Sequence, residues 1–184
     1  MKAKMKNLLF IFLIQIICSS IYAQKHFTLG IDWVFYSSET SNAIKLDNFN
    51  KGSGLQLTYR KNIYNNNFLT LKLTGVESSK NLYNLQSLRV GYEVGNIHKI
   101  KNLFLITELG INRFNSIKLS KSSYTIAPSL GIAYNLNLNK YFILRASNVI
   151  EFNLPTNIGS FFSNSSFGLH YKFNKEKTVN GKDN

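Results

Sequence analysis

Apolar and polar residues alternate along most of this chain, and that period of two constrains the fold more strongly than any other feature. In the first run, Phe27, Leu29, Ile31, Trp33 and Phe35 share one face. Seven similar runs follow, within residues 55–60, 69–74, 88–95, 103–112, 124–135, 142–151 and 166–173. Because successive side chains of a β-strand point to opposite faces, the pattern predicts eight strands.

The connections between these predicted strands alternate in length. The short ones cover residues 62–67, 96–102 and 136–140, and the long ones cover 37–53, 76–87, 115–123 and 153–164. Short turns at one end and long loops at the other are typical of an even-stranded up-and-down barrel. The sequence therefore predicts an all-β, eight-stranded antiparallel transmembrane barrel over residues 24–173, followed by a polar tail over 174–184.

The N-terminus has the pattern of a secretory signal peptide. Lys2, Lys4 and Lys6 precede an apolar run over residues 8–18, and Ala23 is a small residue suited to cleavage. A run of this length covers about half of a ~30 Å hydrocarbon core, which is too short for a membrane anchor. We expect residues 1–23 to be removed on export, and the only cysteine leaves with them, so no disulfide forms.

The polar face of the predicted strands carries charges of both signs in nearly equal number. They are Asp32, Arg60, Lys72, Arg89, Glu93, Glu108, Arg145, Glu151 and Lys172, and small residues separate them. A water-exposed face of the exported chain, whose formal charge falls from +13 to +10 once Lys2, Lys4 and Lys6 are removed, would carry scattered lysines instead. Arg and Glu in balance indicate ion pairs that fill a narrow barrel lumen, and we call this set the lumen charge network.

The apolar face carries aromatic residues towards both ends of the strands. Those near the short turns are Phe27, Tyr59, Tyr134, Phe142, Tyr171 and Phe173, and those near the long loops are Trp33, Phe35 and Tyr124. Two aromatic girdles around an aliphatic belt are typical of a barrel in a membrane. The alternative is a secreted lipocalin-like cup, in which the same apolar face would line a ligand cavity.

Residues 166–173, with the sequence SFGLHYKF, carry a resemblance to a known family. This last predicted strand resembles the terminal-strand assembly signal of the small eight-stranded outer-membrane β-barrels, of the OmpA and OmpX type and in particular their Bacteroidetes-like versions. The resemblance implies that the barrel-insertion machinery reads Gly168, Tyr171 and Phe173. It also implies a Gram-negative outer membrane as the location, with lipid and lipopolysaccharide as partners. The chain departs from the family by running on past Phe173, and we expect that tail in the periplasm.

The sequence offers little for catalysis or cofactor binding. The three histidines are His26, His98 and His170, and none begins the His-x-Ser arrangement of the lipid A deacylase barrels. A triad of His170, Glu151 and Ser147 is conceivable, but a lumen histidine satisfied by a neighbouring charge is the commoner arrangement. No phosphate loop or metal-ligand cluster is present in the sequence, so we expect no cofactor, no metal and no enzymatic activity.

The excess positive charge lies in turns and loops, at Lys61, Lys99, Lys101, Lys118, Lys121 and Lys140. Export removes nucleic acid as a partner, so these lysines are expected to face anionic lipid head groups. Apolar residues also fall in the long connections: Ile44, Leu46, Phe49, Leu82, Tyr83, Leu85, Ile158, Phe161 and Phe162. They indicate either a surface for an envelope partner or strands that extend further and pack together.

The function expected from the sequence is that of a non-enzymatic outer-membrane barrel with a structural, adhesive or accessory-subunit role. The alternatives are a lipid-modifying enzyme, a narrow ion pore or a secreted lipocalin-like binding protein.

Overall fold

A computed structural model describes residues 26–39, 51–78, 83–97, 100–116, 121–154 and 161–174. The described chain forms eight β-strands. The first four are β1 (His26–Glu39), β2 (Lys51–Tyr64), β3 (Asn67–Ser78) and β4 (Tyr83–Gly95). The others are β5 (Leu103–Ser116), β6 (Lys121–Asn137), β7 (Phe142–Phe152) and β8 (Phe161–Asn174). Residues 1–23, the predicted signal peptide, and 175–184, most of the predicted tail, lie outside the described residues.

The eight strands close into one barrel in which every strand pairs antiparallel with its sequence neighbours, and β8 pairs with β1. This confirms the predicted eight-stranded up-and-down topology. Following the paired residues once around from Phe27 returns to β1 at Ser37, ten residues further along. Such a stagger requires the strands to tilt by about 40° and leaves a lumen just wide enough for side chains.

The short turns lie together at one end of the barrel, which we call the short-turn end. Asn65 and Asn66 join β2 to β3 with positive φ angles of 42° and 65°. A two-residue hairpin turn needs positive φ at both positions, and asparagine tolerates it better than most residues. Asn96 and Asn102, which flank the β4–β5 connection, also have positive φ. The asparagines of this end are therefore explained in part by backbone geometry.

At the opposite, long-loop end, the strands run further than the alternation indicated. β1 continues to Glu39, β4 already begins at Tyr83, and β8 begins at Phe161. Leu85 and Phe162 thus lie in strands and point into the barrel, where both are buried. Of the two interpretations of the apolar residues in the long connections, that of strands that extend further and pack together is confirmed for Leu85 and Phe162, and that of an exposed partner surface is wrong for them. Ile44, Leu46, Phe49, Leu82 and Ile158 lie outside the described residues.

The outer surface of the barrel is apolar. Ile31, Leu57 and Leu109 leave more than half of their surface exposed, and large apolar residues surround the barrel at every strand. Aromatic side chains lie towards both ends of this belt, including Trp33 and Tyr124 on the long-loop side and Tyr171 on the other. No helix within the described ranges is long and apolar enough to cross a membrane.

Candidate functional site

The lumen charge network lies inside the barrel. Eight of its nine side chains are buried, namely Asp32, Arg60, Lys72, Arg89, Glu93, Glu108, Arg145 and Glu151. The ninth, Lys172, is half-buried at the short-turn end. Every strand except β6 contributes at least one of the nine, and the period of two turns each of them inward. The lumen is therefore crossed by charged side chains from near one end to near the other.

Near the short-turn end, two arginines share one carboxylate. Arg60 binds Glu93 through Nε at 2.9 Å and through Nη2 at 2.7 Å, both to Oε2. Arg145 donates from Nη2 to the other oxygen, Oε1, at 2.6 Å, and from Nη1 to Asn135 at 2.8 Å. The guanidinium of Arg60 also lies 4.2 Å from the ring centroid of Phe68. This cluster holds two cations and one anion, all of them buried.

A second group surrounds Asp32 in the middle of the lumen. The Asp32 carboxylate is 2.8 Å from Nε2 of His170 and accepts hydrogen bonds from Thr58 at 2.6 Å and Gln56 at 3.1 Å. A side chain at Gly30 would collide with the His170 ring. A side chain at Gly168 would collide with the Asp32 carboxylate. Glycine at these two positions makes room for the His170–Asp32 pair.

Across the lumen from this group, Lys72 on β3 and Glu108 on β5 form a separate ion pair. The two side chains are almost fully buried. Because each charge has a single opposite charge as its partner, this pair is balanced without help from either end of the barrel.

The long-loop half of the lumen contains a one-to-one pair with many additional hydrogen bonds. Arg89 binds Glu151 through Nη1, Tyr36 through Nη2 at 2.7 Å and Ser87 through Nε at 2.8 Å. Asn164 donates to the Tyr36 hydroxyl at 3.0 Å. The Arg89 guanidinium thus has a partner on each of its nitrogens, and its charge is matched by Glu151.

An apolar cluster lies above this pair, towards the long loops. It consists of Val34, Tyr36, Val76, Leu85, Phe114 and Phe162, all of them buried, and we call it the apolar cap. The rings of Phe114 and Phe162 are 5.7 Å apart, and those of Tyr36 and Phe162 are 6.4 Å apart. Six side chains from five strands therefore close the lumen at this level with hydrocarbon.

The short-turn end holds a cavity of about 450 Å³, which we call the mouth cavity. Arg60 and Lys172 line it, together with Thr28 and four apolar residues. Its remaining lining consists of asparagines: Asn62, Asn65, Asn66, Asn96, Asn102, Asn135 and Asn137. None of the described residues that line the cavity is acidic.

The described part of the chain does not assemble the triad considered from the sequence. His170 contacts Asp32, whereas Glu151 pairs with Arg89 and Ser147 lies 2.7 Å from Ser166. His26 begins β1, and His98 lies outside the described residues. Within the described ranges, no three His, Cys, Asp or Glu side chains are grouped to hold a metal ion.

The three residues of the predicted assembly signal fall on different faces of β8. Tyr171 and Phe173 point outward, and their rings contact each other at 4.7 Å between centroids. Gly168 points into the lumen, against Asp32. The glycine therefore has a packing role in the barrel, and its recognition by insertion machinery stays a prediction.

Sequence reasoning missed the neutral half of the network and the apolar cap. Tyr36, Asn112 and Asn164 hold the Arg89–Glu151 pair, and none of them was singled out. The signal was present, because Tyr36 and Asn164 continue the inward period of β1 and β8. The signal is hidden because the run predicted for β1 ends before Tyr36 and the run predicted for β8 begins after Asn164.

A closed eight-stranded barrel, apolar outside and filled with ion pairs inside, defines the class of small transmembrane β-barrels. The crystal structure of Neisserial surface protein A has this fold: its TM-score is 0.59 at 15% identity, and the match covers 82% of this chain and 98% of that one. Ail, the attachment invasion locus protein of Yersinia pestis, matches with a TM-score of 0.48 at 18% identity, over 82% of this chain and 99% of its own.

The N-terminal β-barrel domain of Pseudomonas aeruginosa OprF matches with a TM-score of 0.46 at 13% identity, over 79% of this chain and 97% of that domain. No protein-family model matches the chain, and no curated protein matches its sequence. The likeness therefore holds at the level of the fold, which is that of the small eight-stranded outer-membrane β-barrels.

Proposed function

We propose that this chain is a non-enzymatic outer-membrane β-barrel with a structural, adhesive or accessory-subunit role in the cell envelope. The observation that carries the proposal is the contrast between its two faces. Large apolar side chains cover the outside of the barrel, and buried ion pairs fill its inside. Only a lipid surround makes that distribution favourable, because an outer belt of this kind in water would drive aggregation.

The filled lumen favours a structural role over transport. Arg89 and Glu151 cross the long-loop half, and the apolar cap covers them. Passage of an ion would require both the separation of a buried pair and the hydration of the cap, each of which is costly. The proposed barrel therefore conducts no ions in its resting state.

The contacts of His170 favour a non-enzymatic role. Its imidazole pairs with Asp32 inside the lumen, and no described serine completes a nucleophile–base pair with it. A lipid-modifying enzyme of this shape needs its histidine near the lipid-facing rim, whereas His170 is fully buried inside the barrel.

Membrane insertion is tested by placing a charge on the outer face. Leu57 lies in mid-belt, paired with Ile31 and Leu73, and 55% of its surface is exposed. Leu57→Arg should destabilise the barrel in lipid by about 2–4 kcal/mol, whereas Leu138→Arg in the β6–β7 turn should cost about 0–1 kcal/mol. Folding is read from heat-modifiable migration on a gel after refolding into vesicles. Equal effects at both positions would contradict the membrane-spanning assignment.

The cellular location and the role of the protein are tested in its native host. We expect the chain in the outer-membrane fraction, and recovery as a monodisperse protein in detergent-free buffer would instead support the lipocalin-like alternative.

Affinity purification from detergent extracts tests the accessory role, and surface attachment of a deletion strain tests adhesion. A difference in lipid A mass between the deletion and parent strains would refute the non-enzymatic assignment. Steady conductance in planar bilayers would refute the sealed lumen.

A further inference from the structure

The fully buried charges of the described lumen balance in number, because four cations face four carboxylates: Arg60, Lys72, Arg89 and Arg145 against Asp32, Glu93, Glu108 and Glu151. His170, the partner of Asp32, is charged only when it is protonated and is left out of this count. The cation in excess is Lys172, which is half-buried and lines the mouth cavity. Since a partly buried charge without a counter-charge is costly, this end of the lumen favours one further anion.

Arg60 identifies where that anion would bind. Its side chain is fully buried and lines the mouth cavity. Nε and Nη2 are used by Glu93, but Nη1 forms no hydrogen bond with any described residue. Buried guanidinium nitrogens nearly always have an acceptor, so the orphaned Nη1 indicates a missing one.

Lys172 supplies a second cation to the same cavity. Its Nζ donates to Oδ1 of Asn137 at 2.6 Å and has no ion pair with a described carboxylate. Arg60 and Lys172 therefore meet one cavity from two strands, with no acidic side chain in its described lining. Two cations around a neutral polar cavity form an anion site rather than a cation site.

The rest of the lining indicates what the anion should carry. Asparagine side chains both donate and accept hydrogen bonds, which suits hydroxyl or amide groups. A volume of about 450 Å³ lies in the range of small-molecule sites and is larger than an inorganic ion needs. We propose that the mouth cavity binds a small organic anion, with its carboxylate or phosphate between Arg60 and Lys172 and its polar body against the asparagines. This site goes beyond the structural role proposed above and does not depend on it.

The test is a titration of the full mature chain, refolded into zwitterionic detergent micelles at low chloride. The probes are glucuronate, N-acetylglutamate and inorganic phosphate, which represent an acidic sugar, an acidic peptide and a phosphate, with glucose as the neutral comparison. Calorimetry should give saturable binding of at least one anion and none of glucose. The probe that binds most tightly identifies the chemical class of the natural ligand: an acidic sugar, an acidic peptide or a phosphate.

Three variants locate the binding site. Lys172→Gln should weaken binding of the anion about tenfold, which is the effect expected for loss of one charge-assisted hydrogen bond. Lys101→Gln removes an exposed lysine from the same end but outside the cavity, and it should leave binding unchanged. Arg60→Lys should weaken binding as well, provided that heat-modifiable migration shows a folded barrel. If that variant does not fold, the two lysine variants decide.

The proposal is overturned if none of the three anions binds saturably, if glucose binds as tightly as the anions, or if Lys101→Gln weakens binding as much as Lys172→Gln. Equal weakening by Lys101→Gln and Lys172→Gln would indicate adventitious binding of the anion to the basic surface.

Discussion

The two ends of the lumen use the same kinds of side chain but close the barrel in different ways. At the long-loop end, Arg89 and Glu151 match one to one and lie beneath the apolar cap. At the short-turn end, Arg60 and Arg145 share Glu93, and an asparagine-lined cavity lies beside them. The long-loop end is paired one to one and sealed, whereas the short-turn end is open and holds Lys172, a cation with no ion pair to a described carboxylate. A filled lumen is therefore compatible with a binding site at one mouth.

The largest expected effect comes from removing the carboxylate that two arginines share. Glu93→Gln removes the shared ion-pair partner of the buried Arg60 and Arg145 and should lower the free energy of unfolding by about 5 kcal/mol. Denaturant unfolding in micelles, followed by the fluorescence of the single tryptophan Trp33, measures the loss.

The matched change at the sealed end is Glu151→Gln. Arg89 keeps its bonds to Tyr36, Ser87 and Asn112, so the cost should be smaller, at about 3 kcal/mol. If Glu151→Gln cost more than Glu93→Gln, the short-turn end would not depend more strongly on its shared carboxylate than the sealed end does on its single pair.

The apolar cap is tested by Phe162→Ala, which removes a ring packed against Phe114 and Tyr36. The expected cost is about 3 kcal/mol, the lower end for a buried phenylalanine, because a site near the rim can relax. Phe161→Ala changes the adjacent residue, whose ring faces outward against Phe152, and should cost about 1 kcal/mol or less. Equal costs in the same unfolding assay would show that the cap contributes no more than the outer surface.

Much of this fold could be predicted because alternation determines which face each strand residue occupies. Asp32, Arg60 and Glu93 lie on the inward face where the pattern placed them, since a one-residue slip would reverse an entire strand. The ends of the strands were harder to predict from the sequence. Leu85 and Phe162 are apolar and yet face inward. The rule that polar residues face the lumen and apolar residues face outward therefore fails at the level of the apolar cap.

The partners within the lumen could not be predicted from one sequence. Glu93 on β4 pairs with Arg60 on β2 and Arg145 on β7, and only the stagger of the closed barrel brings these three to one level. The mouth cavity depends on the same geometry. Its asparagines come from turns and from strand ends that are distant in sequence, and the turn positions are occupied by asparagine for a backbone reason as well.

A smaller effect is expected for Tyr36→Phe, which keeps the ring in the cap and removes only the hydroxyl. That oxygen accepts hydrogen bonds from Arg89 at 2.7 Å and Asn164 at 3.0 Å, so the loss should be about 1–2 kcal/mol. Tyr134→Phe, on the outer face, is the control and should be neutral. A neutral Tyr36→Phe would mean that the sealed end does not depend on its hydrogen-bond network.

The smallest effect on stability is expected at the open mouth. Lys172 is half-buried, and its only described side-chain hydrogen bond is to Asn137, while the neighbouring cation Arg60 opposes its charge. Lys172→Gln removes that repulsion and allows an amide to replace the hydrogen bond, so the free energy of unfolding should change by less than about 0.5 kcal/mol. A ligand that binds only the folded state raises stability by mass action. Saturating anion should therefore stabilise the parent chain against denaturant and stabilise Lys172→Gln less. A loss above about 1 kcal/mol without ligand would instead make Lys172 part of a balanced network, and the contrast between the two ends would disappear.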